Sequence, residues 1–301
     1  MNKNKIPEKA YETIERLKRE GKVRPGINDS VFKSLFMEEE NKGVLAHIIS
    51  EILKLDKEYV YNNISFKPTE LAKENNFEKG KETDLIVEVD GRIINLEMNK
   101  KLTRGANIKS NEYHHKLTNV GVLKGEEYIN AKLIVQINFD YETDFFKEDK
   151  RVVIMFQLRD EENRYILDEN FVNYHINMEK VREKYYNKEK LTKLEKIIMM
   201  LQLEEKDKLK KLAKDDMELI VMEKKIEDMS ENPWAVCLYD KEERIKQIHD
   251  IDVADAHEKG LEKGSKQKEI EIAKNMLKDN IPIDTIIKYT NLSLEEIETL
   301  K

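Results

Sequence analysis

The chain has 301 residues, a net charge of −7, and 38% charged against 39% hydrophobic residues, the balance of a soluble, helix-rich protein with a modest core. Its single cysteine, Cys237, excludes any disulfide or cysteine-metal framework within the chain. No run approaches the ~18 apolar residues of a membrane span and residues 1–9 carry no apolar leader, so a cytoplasmic protein without membrane contact is expected.

Pro7 suits a helix start, and Tyr11, Ile14 and Leu17 follow at helical spacing until Gly21 and Pro25-Gly26. Asp29 precedes Val31, Phe32, Leu35 and Phe36 and can cap a second helix, with Lys33 one turn on. A further helix is expected from about 43 to 55, where Leu45, Ile48, Ile49 and Ile52 form one stripe. Residues 62–67 suit a first strand, and the polar stretch 71–82 a loop.

Residues 83–101, TDLIVEVDGRIINLEMNKK, predict a β-hairpin. Asp90-Gly91 between apolar alternations is a strong signal for a two-residue type I′ turn, which needs positive φ at both central positions. With that turn, Val89 opposes Arg92 and Asp84 opposes Glu97. Leu85, Val87, Val89, Ile94, Leu96 and Met98 share the core face. Asp84, Glu97 and Asn99 share the other with Ile86. Directly opposed like charges destabilise a sheet by a few tenths to about 1 kcal/mol. Two carboxylates so placed suit a hard divalent cation, although a solvated polar face is the plainer alternative.

A basic segment follows. Between 98 and 124 stand six Lys/Arg and one Glu, with His114 and His115 besides. Lys100, Lys101, Arg104 and Lys109 are therefore candidate phosphate contacts; a solvated helix face is the alternative. Tyr113, Leu117 and Val120 give this segment a helical stripe. Residues 132–139 form a strand in which Gln136 breaks the apolar run and can point toward the carboxylates. Strands are also expected over 151–158 and 173–178. The order helix, strand, hairpin, helix, strand predicts an α/β (α+β) fold, a mixed sheet flanked by helices.

Beyond 181 the composition turns to Lys, Glu, Leu and Met, and one or two long helices are expected over 187–229. Asn232-Pro233 breaks this pattern and another helix can follow to about 250. Residues 258–264 form a charged near-repeat suited to a linker. Ser293-Leu294-Glu295-Glu296 matches a capping box. Three domains are therefore expected: a main domain over 1–180, a helical extension and linker over 181–265, and a small helical module over 266–301.

Asp84, twelve intervening residues, and Glu97-x-Asn99 on the second strand of a hairpin resemble the PD-(D/E)xK nuclease core. The segments 26–36, 83–85, 95–99 and 125–128, with the tail 269–300, are similar to the recombination-promoting nuclease/transposase branch. The resemblance implies a magnesium-dependent DNA endonuclease, with Asp84, Glu97 and the Met98 carbonyl holding Mg²⁺ and DNA as partner. It implies Asn99 as the third catalytic residue, where the superfamily has Lys and this branch often Gln. Lys101 is the nearest candidate to restore the missing charge, and Asp29, Lys33 and Gln136 are possible supporting residues. The alternative is a nuclease-fold protein that binds DNA or a partner without cutting. Either can form homo-oligomers.

Overall fold

Asp90 and Gly91 take φ of 54° and 68°, as a type I′ turn requires. They join β4 (Leu85–Val89) to β5 (Arg92–Asn99). The antiparallel register runs from Val89 opposite Arg92 to Leu85 opposite Leu96. Asp84 and Glu97 follow one step beyond the last rung. The computed structural model describes residues 8–71, 81–120, 127, 132–238, 264–279, 281–290 and 292–300.

β5 continues into a six-stranded mixed sheet of order β1-β4-β5-β6-β8-β7. β1 (Ser65–Lys67) pairs antiparallel with β4. β6 (Leu133–Asp140) lies parallel to β5 and to β8 (Ile166–Asn177), and β7 (Val153–Arg159) closes the far edge antiparallel to β8. Since β5 and β6 run parallel, a crossover must join them, and α5 (Arg104–Val120) lies within it. The segment expected to be loop contributes a short extra pair, β2 (Glu70–Leu71) with β3 (Lys81–Glu82). β8 begins seven residues before the strand expected at 173. Its first half, ILDENF, lacks apolar alternation because it pairs only with the exposed edge strand β7.

One face of the sheet is apolar. Leu85, Val87, Val89, Ile94, Leu96 and Met98 are buried there with Val135, Ile137, Phe139 and Ile176. The N-terminal helices include α1 (Glu8–Glu20), α2 (Asp29–Phe36) and α3 (Lys42–Leu53). Asp29 is the first helical residue of α2, so Asn28 rather than Asp29 stands at the cap position. Phe32 of α2 meets Phe139 edge-on at 5.3 Å, which puts α2 on the core face. Lys33, one turn into α2, is half-buried. Gly26 has a packing reason: a Cβ there would lie 2.7 Å from Leu201 Cδ2. Helix α4 (Lys57–Asn63) overlaps the start of the strand expected at 62. It depends on a side-chain cap, Asp56 accepting from the Tyr59 N–H, and buries only Val60.

After β8 the first helices are α6 (Met178–Tyr186), α7 (Lys193–Met200), α8 (Lys206–Ala213) and α9 (Met217–Glu231). The one or two long helices expected over 187–229 are thus three. No Gly or Pro marks the breaks; instead Thr192 and Glu195 form a capping box on α7, and Asp216 caps α9. Val181, Leu194, Ile197, Ile198, Leu209, Leu219, Met222 and Ile226 join the same core as the sheet. The first compact unit therefore runs to Tyr239, past the boundary expected at 180. The helix expected after Pro233 is described to residue 238, and most of the charged near-repeat lies outside the described residues.

The second unit, Asp240–Lys301, has its own small core of Ala273, Ile286, Leu292 and Ile297. These come from a helix over 264–278, from Ile283–Thr290, and from the turn into Leu294–Glu298, where Ser293 and Glu296 form the capping box.

A half-buried ion cluster ties the helix starts together. Lys193 Nζ lies 2.7 Å from Asp216 and 2.6 Å from Glu218, and Lys57 Nζ lies 2.6 Å from Glu218. Burial alone would raise the Glu218 carboxyl, but hydrogen bonds from Lys193 and Lys57 outweigh it and hold it below its usual value. A depressed folded pKa adds stability that is present above the unfolded pKa and lost as pH falls through the folded one. Glu218→Gln is expected to cost about 1 kcal/mol of stability at pH 7 and so to lower the melting temperature by roughly 2–4 °C. In thermal melts over a pH series that gap should close below about pH 4.

Candidate active site

The second face of the sheet changes character along the strands. At one end Ile86, Ile93 and Ile134 pack with Leu117 of α5. Beyond them the same positions become polar: Asn95, Glu97 and Asn99 on β5, Gln136, Asn138 and Asp140 on β6, and Asn173 and His175 on β8. Side chains alternate across a strand, so the register alone gathers these eight on one face. All but Asn99 are buried.

α5 covers this face. Thr103 starts it, its Oγ1 accepting from the Ala106 N–H at 3.1 Å. Ser110, Tyr113, His114 and Leu117 are buried at helical spacing. Ser110 Oγ donates to Asn138 Oδ1 at 3.1 Å and pins the helix to β6.

Asp84 is 7% exposed and Glu97 3%. Two reciprocal hydrogen bonds fix them: the Asp84 N–H donates to Glu97 Oε1 at 3.2 Å, and the Met98 N–H donates to Asp84 Oδ2 at 2.8 Å. Asn95 Nδ2 also donates to Glu97 Oε1, at 3.3 Å, and to Gln136 Oε1 at 2.9 Å. Gln136 therefore reaches the carboxylates through Asn95. Its Nε2 donates onward to Asn138 at 3.3 Å.

Lys109 brings a positive charge to this pair. Its Nζ lies 3.5 Å from Glu97 Oε2 and 4.9 Å from the centre of the Tyr113 ring. Burial raises the Glu97 carboxyl above the usual carboxylate range, against the opposing pull of Lys109, the Asp84 N–H and the Asn95 amide. Burial alone would lower the Lys109 ammonium; Glu97, Tyr113 and Asp84 outweigh it and raise it.

The other named residues are placed differently. Asn99 Nδ2 donates to Asp140 Oδ1 at 3.0 Å, and Asp140 Oδ2 meets His175 Nδ1 at 2.8 Å. Lys101 pairs with Asp144 at 3.3 Å rather than with the carboxylates. Lys100 is half-buried and Arg104 exposed. Lys109, a phosphate candidate by sequence, sits instead against Glu97. Sequence reasoning passed over Asn95, Asn138, Asp140 and His175. The signal was there in LIVQINFD, where Gln136, Asn138 and Asp140 recur at period 2 inside an otherwise apolar strand.

The donor set suits magnesium. Asp84 and Glu97 offer carboxylate oxygens. The N–H and C=O of a strand residue share one side, so the Met98 carbonyl lies on the edge its N–H presents to Asp84. Mg²⁺ binds through one or two carboxylates, several waters and substrate phosphate. Among the described residues no group of three or more His, Cys, Asp or Glu gathers as a metal site, so no all-protein cage is present there.

A hairpin with two buried carboxylates at its open end, a crossover helix bearing a lysine over them, and a parallel strand alongside define a PD-(D/E)XK-type nuclease core. A family model described as PD-(D/E)XK nuclease family transposase matches residues 26–256. The chain belongs to that family. No curated protein and no solved structure matches it. Among the described residues no helix is long and apolar enough to cross a membrane.

Proposed function

We propose that the chain is a Mg²⁺-dependent DNA endonuclease of the recombination-promoting type. The observation that carries this reading is the buried Asp84–Glu97 pair with Lys109 3.5 Å from Glu97. A protein that needed only a stable hairpin gains nothing from burying two acids together. Asp84, Glu97 and the Met98 carbonyl would hold the ion. When bound, it would polarise the scissile phosphate and lower the pKa of an attacking water.

The remaining work falls to the chain. Lys109, aimed at the pair from α5, offsets the charge of the phosphate and orients the water beside it, the part the superfamily gives to a lysine on the strand. Asn99 cannot supply that charge, since an amide is neutral and its Nδ2 is committed to Asp140. Asp140 and His175 hold Asn99 and the floor of the site in place.

Cleavage of a labelled DNA that contains both paired and single-stranded stretches, in magnesium and in EDTA, tests the reading. Cutting in magnesium alone supports it. Equal cutting in both, or tight binding with no cutting by folded protein, contradicts it.

Lys100 and Arg104 flank the start of α5, where they would track the phosphate backbone. Each neutralised phosphate contributes about −0.9 to the slope of log affinity against log salt. Arg104→Glu is therefore expected to reduce that slope by about one and to weaken all sequences alike, because phosphate contacts carry no base information. Binding titrations at several salt concentrations check this.

A further inference from the structure

On the Asp84–Glu97 face, between α5 and the β7–β8 edge, lies a cavity of about 280 Å³. Its walls are aromatic: Phe145, Phe146, Phe156 and Phe171. Its polar groups are mainly the amides Asn107, Asn111 and Asn173, with His175. The rings are presented for contact. Phe145 is 57% and Phe156 44% exposed. Phe156 stands perpendicular to the His175 ring at 5.5 Å, and Phe146 lies 5.7 Å from the same ring.

The amides are incompletely satisfied. Asn173 is 4% exposed. Its Nδ2 donates to Asn111 Oδ1 at 3.2 Å, while its Oδ1 is buried with no hydrogen-bond partner among the described residues. A buried acceptor without a donor is costly. In this position it suits the ring N–H or amino group of an entering planar ligand.

Position identifies that ligand. Glu97, Asn138 and His175 are successive partners across β5, β6 and β8. Two strand spacings of roughly 4.8 Å put the His175 rung about 10 Å from Glu97. A strand whose phosphate rests at the carboxylates thus brings a neighbouring base within reach. The volume lies just under the roughly 300–1,000 Å³ of drug-sized sites, so the cavity suits one ring system and not a whole nucleotide. A base stacked and paired in a duplex cannot enter.

We propose that this cavity is a subsite for one unpaired base of the DNA strand, stacked on Phe156 and Phe145 and hydrogen-bonded to Asn173. The proposal rests on the nuclease reading and deepens it: the substrate is DNA with unpaired bases at the cleavage site, such as a single strand, bubble or overhang.

The test is equilibrium binding by full-length protein in EDTA. The probes are a single-stranded oligonucleotide carrying 2-aminopurine and its fully paired duplex. Stacking on an aromatic residue contributes about 1–3 kcal/mol per base, which is about 5- to 150-fold in affinity. The single strand is expected to bind at least fivefold tighter than the duplex, with quenching of the 2-aminopurine. Phe156→Ala and Phe145→Ala should each weaken single-strand binding by that factor, leave duplex binding unchanged, and lose the quenching. Phe156→Trp should restore both. Each ring is exposed, so neither variant removes core packing. Equal affinity for the two probes, or unchanged single-strand affinity in both alanine variants, overturns the subsite. Cleavage in magnesium is scored separately. If wild-type protein cuts duplex normally while the phenylalanine variants match it in binding, the subsite falls and the nuclease reading stands.

Discussion

Glu97→Gln is expected to abolish cleavage and, in EDTA, to raise the melting temperature. The two effects share one cause. Glu97 is 3% exposed, and burial lifts its carboxyl above the usual range despite Lys109 and two hydrogen bonds. A raised folded pKa means that the contribution to stability is full below the unfolded pKa and lost as pH rises through the folded one. At pH 7 the ionised carboxylate therefore weakens the metal-free protein. Gln keeps the shape and removes the charge. The expected gain is on the order of 1 kcal/mol, roughly 2–4 °C for a unit of this size. Magnesium reverses the order. A ligand at a hundred times its dissociation constant stabilises by about 2.7 kcal/mol, so wild type should gain in magnesium and the variant should not. Loss of the ion's several kcal/mol of transition-state stabilisation is at least about 10³-fold in rate. Melts in EDTA and magnesium beside a cleavage assay check all of this. A lower melting temperature for the variant in EDTA would make Glu97 a structural partner of Lys109 instead.

Lys109→Met comes second, with an expected loss of about 10²–10³-fold in kcat, the usual cost of removing one preorganised charge donor at a reacting centre. The Lys109 side chain is 51% exposed, but its loss leaves the buried Glu97 carboxylate without that opposing charge, so a cost of about 1 kcal/mol in stability at pH 7 is expected beside the loss of rate. Lys101→Met is the control. Lys101 is tied to Asp144 and should leave kcat almost unchanged. The split between kcat and KM separates roles. A lysine that only grips backbone phosphate changes KM and the salt slope, whereas one acting on the scissile phosphate changes kcat. Lys109→Arg, which keeps the charge with altered geometry, should retain more activity than Lys109→Met.

The hairpin was legible because local chemistry determines it. Asp90-Gly91 sets the turn, the turn sets the register, and the register sets which side chains share a face. Asp84 beside Glu97 follows from that sequence of steps. Lys109 was legible only as a basic residue, because its approach to Glu97 depends on where a crossover helix lands on the sheet. Pinning by Ser110 to Asn138 decides that landing, and the two residues stand 28 positions apart. The late helices α7, α8 and α9 were merged in the sequence reading because side-chain caps, not Gly or Pro, separate them. Their place in the main core depends on burial against the sheet, which their Lys- and Glu-rich composition concealed.

The central claim is that Asp84 and Glu97 cut DNA with a divalent ion. The most direct test is the rate of supercoiled plasmid nicking in magnesium by wild type and by Asp84→Asn, purified identically and shown by melting to be folded. The account predicts nicking by wild type and at least about 10³-fold less by the variant. Equal nicking by both proteins, or none by wild type, would contradict it.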